Sequence, residues 1–158
     1  MNVTVGISEM RISSEPEEIL ITYSLGSCVG LTLYDPVARI GGLIHSMLPL
    51  SKIDPEKAGR MPTMFVDTGV PALLTALYAR GAQRRNLVAK VAGGSQILDA
   101  QGVFNIGERN CTVLRKLLWK NDILVSGEDV GGSIPRTMSL HVETGKTVLK
   151  MSGREVEL

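Results

Sequence analysis

Cys28 and His45 are the two side chains whose types and spacing could do chemistry together. Cys28 lies in Thr22-Tyr23-Ser24-Leu25-Gly26-Ser27-Cys28-Val29-Gly30, a stretch too short for a helix interior and too glycine-rich to pair throughout as a strand. The backbone there can turn sharply and hold a small thiol where another molecule approaches it. His45 follows seventeen residues later, a distance that suits the far strand of a turn folding back on the first. A thiol attacks weakly until a base takes its proton and a third group fixes the base's ring. Thr22 is a candidate for that third group, through its hydroxyl or its backbone carbonyl. Gly26 and Ser27 are candidates for loop support, with the NH groups after Gly26 facing a developing oxyanion. Each residue also has a plainer reading: free cysteine is a common small core residue, and a single histidine on a half-apolar strand is often a packed structural one.

The elements that must position these groups read mostly as strands. Val3, Val5 and Ile7 alternate with polar or small neighbours, the period of a half-buried strand, before a loop at 13–17. Residues 18–24 form a second β run that delivers the chain to the Cys28 turn. Val29, Leu31 and Leu33 continue on its other side until Asp35-Pro36 closes the strand. Residues 39–48 form the next strand, with Leu43, His45 and Met47 on one face and Ile44 and Ser46 on the other. His45 thus faces a partly apolar side, where desolvation lowers its pKa and keeps it a neutral base. Residues 50–62 read as a long excursion, either a lid or binding loop or a plain solvated connection.

Residues 63–80 carry Val70, Leu73, Leu74 and Leu77 on one stripe and read as a helix; a cap at Asp67 or Thr68 would put Pro71 in its first turn, and Gly81 stops it. Residues 87–91 are a short β run ending at Gly93-Gly94-Ser95, which lacks the third glycine of a dinucleotide fingerprint. Residues 105–120 are a second helix, capped by Asn105, with Cys111, Leu114 and Leu118 on its core face. Residues 123–125, 136–143 and 146–151 close the chain as strands, with a hairpin turn at Thr144-Gly145. His141 falls on the polar face, opposite Met138, Leu140 and Val142, and reads as solvated. Gly145-Lys146-Thr147 is no phosphate loop, because Leu140 stands where that motif needs glycine.

The 158 residues suffice for one domain with a real core and are too few for two comfortable ones. A net charge of +1 argues against a nucleic-acid or anionic-membrane footprint. No apolar run is long enough to span a membrane, and Met1-Asn2-Val3-Thr4 does not open a secretory signal. The two cysteines can in principle form one disulfide, but a reduced cytoplasm is the simpler setting. The two histidines and two cysteines are scattered over elements of different type, so no metal constellation is expected.

Several ordered segments carry a resemblance. Leu25-Gly26-Ser27-Cys28-Val29-Gly30, Leu33-Tyr34-Asp35-Pro36 and Gly42-Leu43-Ile44-His45-Ser46-Met47-Leu48-Pro49 are joined by Ala89-Lys90-Val91-Ala92-Gly93-Gly94-Ser95, Asn105-Ile106-Gly107-Glu108-Arg109-Asn110 and Asp129-Val130-Gly131-Gly132. Together they resemble the CheD family, the chemoreceptor glutamine deamidases of bacterial and archaeal chemotaxis. The resemblance covers residues 1–158 as one CheD-like domain. It implies a mixed α/β fold of packed β-sheets flanked by helices, related to toxin deamidases. It also implies a catalytic set of Cys28, His45 and Thr22, no cofactor, a cytoplasmic setting and the cytoplasmic domain of a chemoreceptor as substrate. The CheC phosphatase is an implied partner where the host has one, with Phe104 a candidate contact or an ordinary packed residue. Ser24 stands where many members have glycine. Two other readings stay open: a non-catalytic adaptor that binds CheC or receptor helices, and the same chemistry on another protein's glutamine or on an ester.

Overall fold

A computed structural model describes residues 1–96 and 105–158; Phe104 lies outside the described residues. The strands are β1 Asn2–Thr4, β2 Glu9–Ser13, β3 Ile19–Leu25, β4 Val29–Asp35, β5 Ile40–Ser46, β6 Val88–Gly93, β7 Val125–Val130, β8 Arg136–His141, β9 Thr147–Met151 and β10 Arg154–Glu157. The helices are α1 Pro55–Arg60, α2 Val66–Ala79 and α3 Ile106–Lys120. One sheet has the order β1-β3-β8-β9-β10 and the other β2-β5-β4-β6-β7. The architecture is therefore mixed α/β, with two packed sheets and helices on the second.

Burial explains the layering. Leu31 and Leu33 of β4 and Ile44 of β5 pack with Val70, Leu73 and Leu77 of α2 and Leu114 and Leu118 of α3. On the opposite face of the same sheet, Tyr34 and Leu43 join Leu20, Leu25, Met138 and Leu140 of the first sheet. A sheet covered on both faces has no solvated side, which is why every residue of β4 and β5 is buried. Two of the polar residues caught between the sheets are paired there: Thr32 shares a 2.7 Å hydroxyl contact with Thr147, and the Tyr34 hydroxyl donates to the Val142 carbonyl. Gly30 lets the sheets close, because a Cβ there would stand 2.8 Å from Met138 Sδ.

The architecture corrects several sequence expectations. The strand expected through Val3, Val5 and Ile7 ends at Thr4; Val5 and Ile7 lie in the connection to β2, which belongs to the other sheet, Ser8 turns the chain there with a positive φ of 61°, and Ile7 is exposed. The excursion at 50–62 holds structure of its own, α1 among it, with the Asp54 carboxylate accepting from the Lys57 amide at its N-cap. Helix α2 begins after Phe65, so neither Asp67 nor Thr68 caps it and Pro71 lies inside it. The Asp67 carboxylate instead accepts from the amide and hydroxyl of Ser51, and Thr68 donates to the Pro62 carbonyl. Strand β7 starts at Val125 and runs on to Val130, and β10 follows β9 where no strand was expected. Asn105 occupies the N-cap position of α3 in left-handed backbone, φ 49°, but its side chain makes no cap hydrogen bond there; Gly81 with φ 103° ends α2, and Cys111 is buried among core residues. His141 is half-buried, on the face of β8 opposite Met138 and Leu140.

Candidate active site

The site lies where one end of the two sheets meets. Strand β4 is the central strand of its sheet, and Cys28 immediately precedes it. Across the antiparallel β4–β5 pair, Gly30 is opposite His45. Cys28, two positions before Gly30, packs on the same intersheet cluster and is a diagonal neighbour of the imidazole. Thr22 comes from the other sheet: it alternates with half-buried Ile19 and Ile21 on the inward face of β3, beside Leu20. Just beyond it the β3–β8 register shifts, and Ser24 takes a positive φ of 57° at that irregularity, a conformation glycine adopts with less strain.

The three sequence candidates therefore come together, with one pair in direct contact. Thr22 Oγ1 lies 2.7 Å from His45 Nδ1 and 2.7 Å from the Val5 carbonyl. A carbonyl only accepts, so the hydroxyl gives its proton to Val5 and takes a hydrogen bond from Nδ1–H. This settles the open alternative in favour of the Thr22 hydroxyl, and it leaves Nε2 as the unprotonated ring nitrogen. His45 is 0% exposed, and among the described residues Nε2 has no hydrogen-bond partner. The backbone at His45 is held as well, its carbonyl accepting from the Ser8 amide at 2.9 Å.

The electrostatics follow from burial. Desolvation lowers the His45 pKa to about 4, so the ring is neutral at neutral pH. Burial pushes the half-buried Cys28 thiol up, and its own backbone amide pulls it partly back. The resting pair is thus a neutral thiol beside a neutral imidazole, with no hydrogen bond between them. Such bonds commonly tighten only when substrate closes the site. Both cysteines are free thiols. Among the described residues no group of three or more His, Cys, Asp and Glu side chains is gathered to hold a metal, and no helix is long and apolar enough to cross a membrane.

A family model described as CheD chemotactic sensory transduction matches residues 47–151. The protein named "Probable chemoreceptor glutamine deamidase CheD" in Solibacter usitatus is 49% identical over 99% of this chain and 92% of its own length. This chain belongs to the CheD family. A further CheD relative, "Probable chemoreceptor glutamine deamidase CheD 1" of Syntrophus aciditrophicus, is 47% identical over 96% of this chain and 95% of its own. Among solved structures, the hypothetical protein YfiH of Bacillus licheniformis superposes with a TM-score of 0.48 at 15% identity, over 78% of this chain and 49% of that one.

Two parts of this CheD site escaped the sequence reading. The Cys28 turn is held from behind through three consecutive carbonyls: Gly26 accepts from the Ser95 amide at 2.8 Å, Ser27 from Asn110 Nδ2 at 2.9 Å, and Cys28 from the Gly94 amide at 2.9 Å. Gly93, with φ 105°, must be glycine, since a Cβ there would collide with the Cys28 carbonyl oxygen. Arg136, 6% exposed, supports this bracket by donating to Ser95 Oγ, to the Gly93 and Gly131 carbonyls and to Asp129 at 2.9 Å. The signal was available in both cases. Asn110 stands one turn before Leu114 on the buried stripe of α3, and Arg136 shares the inward alternation of Met138 and Leu140. A polar side chain in an apolar register needs a partner, and here the partners lie in the Cys28 turn and the loop behind it.

Proposed function

We propose that this chain, acting as one deamidase domain, hydrolyses specific glutamine side chains on the cytoplasmic region of a chemoreceptor to glutamate. The observation that carries the reading is the His45 arrangement: Thr22 occupies Nδ1, burial keeps the ring neutral, and Nε2 is left bare beside the Cys28 position. That is a poised general base next to a thiol, and a binding surface needs neither. The relatives' names supply the substrate class. In the reaction, Nε2 takes the Cys28 proton as the sulphur adds to the carboxamide carbon. The amides of Ser27 and Cys28, each turned away from the anchored carbonyl of the residue before it, face the oxyanion. The imidazolium then returns the proton to nitrogen, ammonia leaves, and a thioester remains. Water, deprotonated by the same nitrogen, cleaves the thioester to glutamate and the free thiol. Each turnover adds one negative charge to the receptor, the change that would tune adaptation. The CheC phosphatase is proposed as a regulatory partner.

The test is the intact mass of a receptor cytoplasmic fragment after incubation, with ammonia measured in parallel. A gain of about one dalton per modified glutamine is expected, with stoichiometric ammonia, and peptide sequencing locates the residue. Retained binding without mass change or ammonia would replace this reading with the adaptor. A finer prediction concerns Thr22→Val, which keeps shape but removes the acceptor for Nδ1–H. The ring then loses its tautomer, and the turnover number is expected to fall about 10- to 100-fold with little change in KM. Stability should fall by about 1–3 kcal/mol for the buried N–H left unpaired. Wild-type turnover in this variant would remove Thr22 from the catalytic set.

A further inference from the structure

Asn110 makes a connection that none of the proposed catalytic roles includes. It is 0% exposed on α3, and its Nδ2 donates both protons, to the Ser27 carbonyl at 2.9 Å and to the Met47 carbonyl at 3.0 Å. Ser27 directly precedes the thiol residue, and Met47 lies two residues beyond the imidazole. One nitrogen therefore ties the nucleophile turn to the segment that continues from the His45 strand. Its Oδ1 is buried and finds no partner among the described residues. The amide cannot be turned round, because that would set an oxygen against two carbonyl oxygens.

Helix α3 can deliver this side chain only because it comes close. A Cβ on Gly107 would lie 2.5 Å from the carbonyl oxygens of both Gly94 and Ser95. The helix is thus seated directly on the loop whose amides hold Gly26 and Cys28. In a planar trans peptide the N–H points opposite to the C=O. Drawing the Ser27 carbonyl towards Asn110 therefore turns the Cys28 N–H to the other side, and that amide is directed at its own sulphur. An oxyanion forming on a carbon bonded to Sγ would meet it.

We infer that Asn110 is a positioning residue of the deamidase site: its amide orients the Ser27–Cys28 peptide so that the Cys28 N–H faces the reacting centre, and it fixes the spacing between the thiol turn and the strand of His45. The inference rests on Cys28 being the nucleophile. Only a short neutral side chain with two protons on one atom satisfies both carbonyls. Aspartate has the same shape and reverses the interaction when ionised. Protonated, it can donate one bond, and burial favours that form.

The experiment compares Asn110→Asp and Asn110→Ser with the wild-type chain in two assays: deamidation of a receptor fragment, and alkylation of Cys28 by iodoacetamide followed by peptide mass. Serine keeps one donor and adds no volume to a buried site, so it provides a folded variant if the aspartate fails to fold. Asn110→Ser is expected to lower kcat about 10²-fold with KM within about twofold, the cost of displaced reacting groups. Asn110→Asp should add a pH dependence of its own, its activity and alkylation rate relative to wild type falling from pH 5.5 to 8 as the carboxyl ionises, roughly tenfold or more. A folded variant with wild-type kcat and alkylation rate, or one whose only change is a lower melting temperature, overturns the inference. Deamidation undiminished in Cys28→Ala would instead overturn the nucleophile, and the alkylation assay would still report the state of the turn.

Discussion

Cys28→Ala is expected to release no measurable ammonia from a receptor fragment, a fall of about 10⁴-fold or more, while keeping its fold. In the proposed mechanism the rate effect is large because sulphur supplies the bond that replaces the amide; without it the imidazole has only water to activate. The fold should survive because Cys28 is half-buried, its sulphur accepts nothing but its own amide, and the turn is held through backbone carbonyls that alanine retains. Truncation should cost within about 1 kcal/mol. Cys28→Ser is the sharper control: a hydroxyl is far less acidic than a thiol, so a neutral imidazole with a pKa near 4 cannot activate it well. Ammonia release and thermal unfolding of both variants check this. An active, folded alanine variant would end the thioester mechanism.

His45→Gln is expected to move activity and acid stability in opposite directions. Losing the base should reduce turnover about 10²- to 10⁴-fold. The stability sign follows from proton binding. In the unfolded chain His45 titrates near its ordinary 6.5, and in the fold near 4. Between those values the unfolded state holds more protons, so stability is unaffected above 6.5 and falls as pH drops towards 4. The full penalty is about 3 kcal/mol. Glutamine cannot titrate, so the variant should lose that part of the acid sensitivity. Urea unfolding at pH 7.5 and 4.5 should show the stability gap between the two proteins moving by about 2–3 kcal/mol in the variant's favour at acid pH. The wild-type pH–rate profile should correspondingly keep its acid limb near 4. An acid limb near 6.5, with identical acid sensitivity in both proteins, would mean that the imidazole is solvated in the working enzyme.

Much of the site could be read from the chain because its parts lie on strands with clear alternation. The period of two in residues 39–48 put Leu43 and His45 on one face and Ile44 on the other, and the two cores divide them in that way. What the pattern could not reveal was that both faces are covered, since burial on the second face depends on α2 and on a sheet built largely from the far end of the chain. Thr22 was legible as a third group but not through which atom; that depends on the Val5 carbonyl, seventeen residues earlier, taking the hydroxyl proton. The break at Ser8 was hidden because a serine in left-handed backbone leaves no compositional mark, and α1 was hidden because six residues with a glycine and a proline look like a loop. Asn110 and Arg136 each stood out as a polar side chain in an apolar register, but what each one holds comes from a distant segment and could not be read from the chain.

The base is steadied by one sheet while the ring and the thiol belong to the other, and this limits when the chemistry can exist. A chain emerging from synthesis, or one loosened by heat, can form the β4–β5 hairpin and expose a thiol near an imidazole. Without β3 docked, though, nothing holds the ring's proton on Nδ1, and no buried environment keeps Nε2 bare. A hydrolase that attacks side-chain amides is hazardous to a cell full of glutamine. If Cys28, His45 and Thr22 carry the proposed roles, dividing them between two sheets ties competence to completed assembly.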